Sequence, residues 1–241
     1  MPGIVNLSTE AKWLGRLLGD ARDWDVFVTD MLRAPSKALG PDVAFDDIQR
    51  AAEPHRIAAY TALREALATP RYNRFQLSMR RWIQAKGWRN ELRNRSLAVL
   101  LEPVSVFAGR TLTQLHRKAL KKGKHLRKLQ PEARHQLRIA LKKLRYATDF
   151  FHASHGVSTD TKSFLGCVAA LQEVLGHEND ASVTAPLLSM LEQTQHERSL
   201  DRAIGVIMGW QARDRLAQPN TLVKHWHQFK ATTPFWVSWP A

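Results

Sequence analysis

The cations between Arg134 and Phe151 are the residues of this chain whose types and spacing could bind an anion. In the stretch RHQLRIALKKLRYATDFF, they recur at intervals of three or four residues. At 100° per residue, such intervals place side chains on one face of a helix. That face carries His135, Arg138, Lys142, Arg145 and Asp149. The opposite face carries Leu137, Leu141, Leu144 and Phe151.

We call His135, Arg138, Lys142 and Arg145 the cationic stripe. An ordinary solvated helix face mixes Glu with Lys at a spacing of four residues, whereas the stripe sets like charges one turn apart. These charges repel each other in the isolated helix. The stripe therefore indicates a ligand of the opposite charge.

Positive charge is concentrated around this stretch. The chain has 36 Lys and Arg against 22 Asp and Glu, a net charge of +14. Between Arg117 and Arg145 lie twelve Lys and Arg and a single carboxylate, Glu132, which leaves +11 there and about +3 elsewhere. Such a field implies a polyanionic partner: nucleic acid, an anionic membrane surface or a free phosphate polymer.

Length, cysteine content and the distribution of apolar residues limit the classes of protein to which this chain can belong. A chain of 241 residues can form one large domain or two smaller ones. Cys167 is the single cysteine, which excludes an intramolecular disulfide and fits a reducing cytosol. The segment MPGIVNLSTEAKW lacks the features of a signal peptide, and the longest apolar run, residues 203–210, is far short of the roughly 20 residues that span a bilayer. We therefore expect a soluble cytoplasmic protein.

Apolar residues recur at spacings of three and four in nearly every segment, without a useful alternating run, which predicts an all-α fold. Glycine and proline mark the expected breaks. Pro131 followed by Glu132 is a good start signal for the stripe helix. The predicted helices cover residues 9–33, 46–68, 71–87, 90–102, 104–122, 131–154, 159–176, 180–196, 198–217 and 220–230.

Two segments of the chain echo each other. LGRLLGDARDWDV, at residues 14–26, shares five identities with LQEVLGHENDASV, at residues 171–183, at an offset of 157. The offset predicts two related helical halves, 1–102 and 103–241, within a single domain. If each half opens with a basic helix, the counterpart of His135 falls about 22 positions before Met1. We therefore expect the first helix of the first half to be absent.

These segments resemble the conserved histidine α-helical domain (CHAD) family over about residues 10–237. The family's second-half signature is similar to RHQLRIALKKLRYATDFF, its first-half element to LGDARDWDV, and its closing pattern to HWHQFKATTPFW. The resemblance implies two four-helix bundles, related by approximate twofold symmetry, around a basic groove or pore that binds inorganic polyphosphate. Some members occur on polyphosphate granules, and the family is not known for catalysis.

The resemblance also implies roles for individual residues. The motif histidine matches His135, and the Arg of the first-half element matches Arg22. The motif cations match Arg138, Lys142, Lys143 and Arg145. The matching His-and-Arg helix of the first half would precede residue 1; either the start of the sequence is assigned late, or this member lacks one wall of the site.

Other residues could complete or support this site. Helix faces opposite the apolar ones supply Lys12 and Arg16 in one segment and Arg110, Arg117 and Lys121 in another. Asp149 is expected to position Arg145 or Lys142, since a bare carboxylate repels phosphate. For Arg22 with Asp23 and Asp25, a salt-bridge cluster that joins helices is favoured over ligand binding. Residues 118–128 are either a solvated flexible turn or a device that steers the ligand.

Two further functions stay open from the residues themselves. A nucleic-acid binder would also use basic helices, but residues 117–145 contain no Phe, Tyr or Trp, and no helix-turn-helix or zinc-finger spacing occurs. An enzyme of phosphate chemistry would need clustered carboxylates, yet the chain has no P-loop, no Glu-x-Glu-x-Lys pattern and no pair of Glu-x-x-His motifs. We therefore predict no catalysis, no cofactor and no metal; the oligomeric state stays open.

Overall fold

The computed structural model describes residues 2–91, 98–152, 159–194, 198–217 and 219–239. Within these ranges the chain is helical and contains no strand, so the all-α prediction is confirmed. The α-helices are α1 (Pro2–Val26), α2 (Arg33–Leu39), α3 (Phe45–Ala68), α4 (Pro70–Gln84), α5 (Gly87–Glu91), α6 (Val104–Lys122), α7 (Pro131–His152), α8 (Thr159–Thr194), α9 (Arg198–Ala217) and α10 (Pro219–Ala231).

Proline defines where several helices begin. Pro70 opens α4, and the preceding Thr69 accepts a hydrogen bond from the Tyr72 backbone N–H at 3.4 Å. Pro131 opens α7, with Glu132 in its first turn. Proline suits this position because its φ is already helical and its missing N–H would have no partner there. The carboxylate of Glu132 also lies at the positive end of the helix dipole.

Three helix predictions differ from the structure. The helix predicted over 9–33 begins earlier, at Pro2, and the π-helical turn Phe27–Met31 separates α1 from α2. Residues 159–176 and 180–196 were expected as separate helices, but α8 is continuous from Thr159 to Thr194. Glycine within a helix costs about 1 kcal/mol relative to alanine, so Gly176 does not end a helix with buried leucines on both sides, such as Leu171 and Leu188. The helix predicted over 90–102 falls partly on residues outside the described ones; α5 ends at Glu91, and Ala98–Leu100 is a 3-10 turn.

The chain divides into two compact units. Unit 1 consists of residues 1–100 and 183–210. Its core contains Trp24, Phe27 and Ile48 from the N-terminal part and Leu191 and Ile204 from the later part. The apolar side chains of α1, α3, α8 and α9 therefore hold this unit together.

Unit 2 consists of residues 101–182 and 211–241. Its core combines the apolar faces of α6, α7, the first part of α8, and α10 with the 3-10 turn Phe235–Ser238. Residues after 182 thus contribute to both units. The predicted halves, 1–102 and 103–241, and their twofold symmetry remain a prediction. Among the described helices, none is both long enough and apolar enough to cross a bilayer.

Candidate anion-binding site

Helix α7 separates its apolar and charged faces as the sequence predicts. Leu137, Leu141 and Leu144 are fully buried in the core of unit 2, and Phe151 is nearly so. The stripe occupies the other side of the helix. His135 and Arg145 are exposed, while Arg138 and Lys142 are half-buried. Burial of one face therefore fixes the direction in which the cations point.

Arg145 is held by contacts on two sides. Its Nη1 donates a hydrogen bond to Gln172 Oε1 of α8 at 3.1 Å. Its Nε lies 3.8 Å from Asp149 Oδ2, one turn along α7, so the expected contact between Asp149 and Arg145 is present. A guanidinium has five N–H donors, and these two contacts leave several of them for a ligand. Gln172 and Asp149 thus orient the cation without neutralising all of its donors.

The central cations of α7 are not neutralised within the described part of the chain. Arg138, Lys142 and Lys143 take part in no ion pair there. The Lys142 ammonium lies 5.7 Å from the centre of the Tyr146 ring, a cation–π contact that keeps its full charge. Lys143 is exposed. The described part of the fold therefore leaves this positive charge uncompensated by carboxylates.

Helix α6 contributes less to such a surface than expected. Arg110 donates two hydrogen bonds to the Glu102 carboxylate, at 3.0 and 2.6 Å, so its guanidinium fork is occupied. Arg117 is exposed. Lys121 lines a pocket with Lys124, and no residue of the stripe lines that pocket. Arg110 is thus paired within the fold, and whether Arg117 and Lys121 join the stripe in one site stays a prediction.

Arg22 of the first-half element and the additional predicted cations Lys12 and Arg16 lie on α1, in unit 1. Lys12, Arg16 and Arg22 are all exposed. Between them, the ring of Trp13 is covered by the guanidinium of Arg71, 4.1 Å from the ring centre. Whether these three cations join the stripe in one site stays a prediction.

A polar cluster ties α1 to α3, as the salt-bridge interpretation of the DARDWD segment predicts. Asp25 accepts hydrogen bonds from the Tyr60 hydroxyl and from Arg56 Nη1, the latter at 3.2 Å. Arg56 also donates two bonds of 2.8 Å to Glu53. The pKa of Tyr60 is raised because its hydroxyl donates to Asp25, and the pKa of Glu53 is lowered because it accepts from Arg56. The cation of this cluster is Arg56, where the sequence suggested Arg22.

Sequence reasoning did not identify Glu102, Gln172 or Arg56. No local pattern marks them, because Gln172 is 27 residues from Arg145 and Arg56 is 31 residues from Asp25. Such contacts depend on how helices pack. Within the described residues, no group of three or more His, Cys, Asp or Glu is placed to hold a metal ion.

Helices α1 to α10 and the stripe define an all-α protein with a concentrated cationic surface. Residues 4–189 match the family model of the CHAD domain. The match covers more than half of the chain, which therefore belongs to the CHAD family, a family associated with polyphosphate-related proteins. Residues 190–237, which include the closing pattern of the resemblance, lie beyond the matched range. A search of curated proteins gives no significant match.

Proposed function

We propose that this protein binds inorganic polyphosphate through the cationic stripe and Lys143, and that it acts as a binding or granule-targeting module without turnover. The observation that carries the proposal is the state of Arg138, Lys142 and Lys143. They lie on the outer side of a well-packed helix and make no ion pair within the described residues. Membership of a polyphosphate-associated family supports the same ligand.

The geometry of the stripe suits a linear phosphate polymer. Polyphosphate presents a negative charge on each internal phosphate and has no base or sugar to recognise. At a rise of 1.5 Å per residue, His135 to Arg145 extends over about 15 Å, enough to meet several successive phosphates. Arginine forms paired hydrogen bonds to two phosphate oxygens, whereas lysine acts as a point charge.

A second candidate ligand is single-stranded nucleic acid, and one observation favours it. Tyr146 and Phe150 follow the stripe on α7, and their side chains are 60% and 73% exposed. Exposed aromatic rings beside cations can stack nucleic-acid bases. The absence of aromatic residues from 117–145 therefore does not extend to the end of the helix. Tyr146→Ala with Phe150→Ala should weaken DNA binding more than polyphosphate binding if these rings stack bases.

The deciding experiment is a titration of labelled long-chain polyphosphate at near-physiological salt. The variant Arg138→Ala, Lys142→Ala, Arg145→Ala should bind about a hundredfold more weakly, if each charged contact contributes on the order of 1 kcal/mol. Its control is Lys37→Ala, Arg80→Ala, Arg81→Ala, which removes three exposed cations from unit 1. Equal losses in the two variants would show that net charge, and not the stripe, determines binding.

Two further arms of this experiment define the ligand and the reaction. Unlabelled DNA at equal phosphate concentration should displace polyphosphate poorly; easy displacement would favour the nucleic-acid candidate. Incubation with polyphosphate and Mg²⁺ should release no orthophosphate. Release that a carboxylate substitution abolishes would contradict a purely binding role.

Salt dependence tests the ionic mechanism separately. Release of condensed counterions makes the logarithm of the affinity fall linearly with the logarithm of the salt concentration, with a slope of about 0.7 per phosphate contact for single strands. Because the stripe variant removes three contacts, the magnitude of its slope should be lower by about 2. An affinity of the parent protein that does not change with salt would exclude binding by ion exchange.

A further inference from the structure

A pocket in unit 2 lies between α10 and the turn that joins α6 to α7. Its volume is about 300 Å³. Val223 and Trp226 of α10 form an apolar floor. The cations and histidines of its rim are His125, Arg127, Lys128, His227 and Lys230. We call this the turn pocket; none of the four stripe residues lines it.

The turn that carries three of the five rim residues is fixed by packing. A Cβ atom at Gly123 would lie 2.1 Å from the Trp226 ring, so the backbone there approaches the ring as closely as glycine allows. Leu126 is buried in the core of unit 2. Between them, His125 has the left-handed φ of 61°. Of the two interpretations of residues 118–128, the flexible solvated turn is therefore disfavoured.

The turn pocket continues into two neighbouring depressions. One shares His125, Trp226 and Lys230 with it and adds Lys121 and Lys124. The other shares Arg127 and Val223 and adds Arg134 and Asn220. Among the residues that the structure describes, no Asp or Glu lines any of the three. In the sequence, none occurs between Glu102 and Glu132 or after Asp214.

The rim charges are not compensated by the protein in the described ranges. None of Arg127, Lys128 and Lys230 takes part in an ion pair there. Like the stripe, the rim therefore favours an anion. Unlike the stripe, it surrounds a concave apolar floor, and ligand pockets are typically concave and apolar with a few polar groups that fix orientation.

We infer that the turn pocket binds a small molecule that joins phosphate groups to a flat apolar ring, the chemistry of a nucleoside triphosphate. The phosphates contact the lysines and arginines of the rim. The ring lies against Val223 and the part of the otherwise buried Trp226 that lines the pocket. A volume of about 300 Å³ is at the lower end of the range of small-molecule sites, which suits one ring with part of its substituents. This site is separate from the stripe and does not depend on polyphosphate binding there.

The test compares three probes by calorimetry without divalent cations: ATP, tripolyphosphate and adenosine. Tripolyphosphate has the phosphates without the ring, and adenosine has the ring without the phosphates. ATP should bind about tenfold more tightly than tripolyphosphate, a difference that corresponds to one good ring contact. Adenosine alone should give no measurable heat.

Variants then locate the site. His227→Ala with Lys230→Ala changes two exposed residues and should lower ATP affinity about tenfold. The probes are also compared in the stripe variant Arg138→Ala, Lys142→Ala, Arg145→Ala, which lacks the proposed phosphate site on α7, so that the ATP binding it retains reports on the turn pocket. Equal affinity for ATP and tripolyphosphate, or a loss of ATP binding in the stripe variant alone, would overturn the inference. Polyphosphate binding by the pocket variant is measured in parallel, so the two proposals succeed or fail separately.

Discussion

The paired cations of one cluster in unit 1 differ in their partners from the central cations of α7 in unit 2. In unit 1, Arg56 pairs with Asp25 and Glu53, and Arg71 pairs with Glu10. On α7 of unit 2, Arg138 and Lys142 make no ion pair within the described residues. The residue types are the same, but their partners differ. A cation that is paired inside the fold supports the fold, whereas the central cations along one face of α7, which make no such pair among the described residues, belong to the proposed phosphate site.

Charge reversal on α7 should give the largest effect. Arg138→Glu with Lys142→Glu puts two carboxylates on the proposed phosphate path, and polyphosphate binding should fall by more than about a hundredfold at near-physiological salt. Binding is measured by fluorescence anisotropy of labelled polyphosphate. The control, Arg80→Glu with Arg81→Glu, makes the same change in net charge on exposed residues of α4 and should have a much smaller effect. Similar losses in both variants would remove the distinction between the two kinds of cation.

A change in the paired cluster of unit 1 should instead lower the stability of the fold and leave ligand affinity unchanged. Asp25→Asn removes the charge that Arg56 contacts, and we expect a fall of about 2–4 °C in the thermal midpoint. Polyphosphate affinity should stay at the parent value. Asp20→Asn, at an exposed position of the same helix, should change neither quantity. A large loss of affinity in Asp25→Asn would place this cluster in the binding site.

His116 of unit 2 is neither one of the paired cations nor one of the stripe cations. Its ring packs against Phe164, Phe229 and Trp236, and burial lowers its pKa below the ordinary value of 6.5. The unfolded chain therefore takes up a proton that the folded state resists, so stability is lost as pH falls below about 6.5.

Replacing His116 with phenylalanine should reduce this loss. Chemical denaturation at about pH 7.5 and about pH 5 should show a smaller decrease in the free energy of unfolding for His116→Phe than for the parent. His227→Asn, which removes an exposed histidine of the same unit, should keep the parental decrease. An unchanged decrease in His116→Phe would mean that other groups cause the acid sensitivity.

The smallest expected effect is a change in stability from a substitution on the buried side of α7. Thr148 is fully buried, and its hydroxyl has no hydrogen-bond partner among the described residues. Thr148→Val replaces that hydroxyl with a methyl group of similar size, and urea unfolding should show a gain of about 1 kcal/mol. Polyphosphate affinity should not change, because the residue faces the core. A loss of stability would instead indicate a hydrogen bond to the Thr148 hydroxyl.

Periodicity predicts the parts of this fold that depend on local sequence. The stripe, the buried leucines of α7 and the bounds of α6 follow from spacings of three and four residues and from Pro103 and Pro131, and the structure confirms them. The continuity of α8 was predicted wrongly, because packing on both sides of Gly176 outweighs the modest cost of a glycine.

Partners of the charged residues could not be predicted in the same way. The sequence assigns Arg110 and Lys121 to one face of α6, but Glu102 occupies Arg110, and Lys121 lines a pocket with residues of α10. The pocket itself joins the segment around His125 to α10, about a hundred positions later in the chain. No spacing rule connects positions that far apart, since only the packing of helices brings them together.

The contact between Gly123 and Trp226 limits which residues relatives of this protein can carry at these two positions. Because any side chain at position 123 would overlap the indole ring, the two positions cannot change independently. Relatives that keep tryptophan at position 226 should keep glycine at position 123, and those with a smaller residue at 226 should be free to lose it. The pair is therefore a two-letter signature by which chains that retain this arrangement of the turn can be recognised from sequence alone.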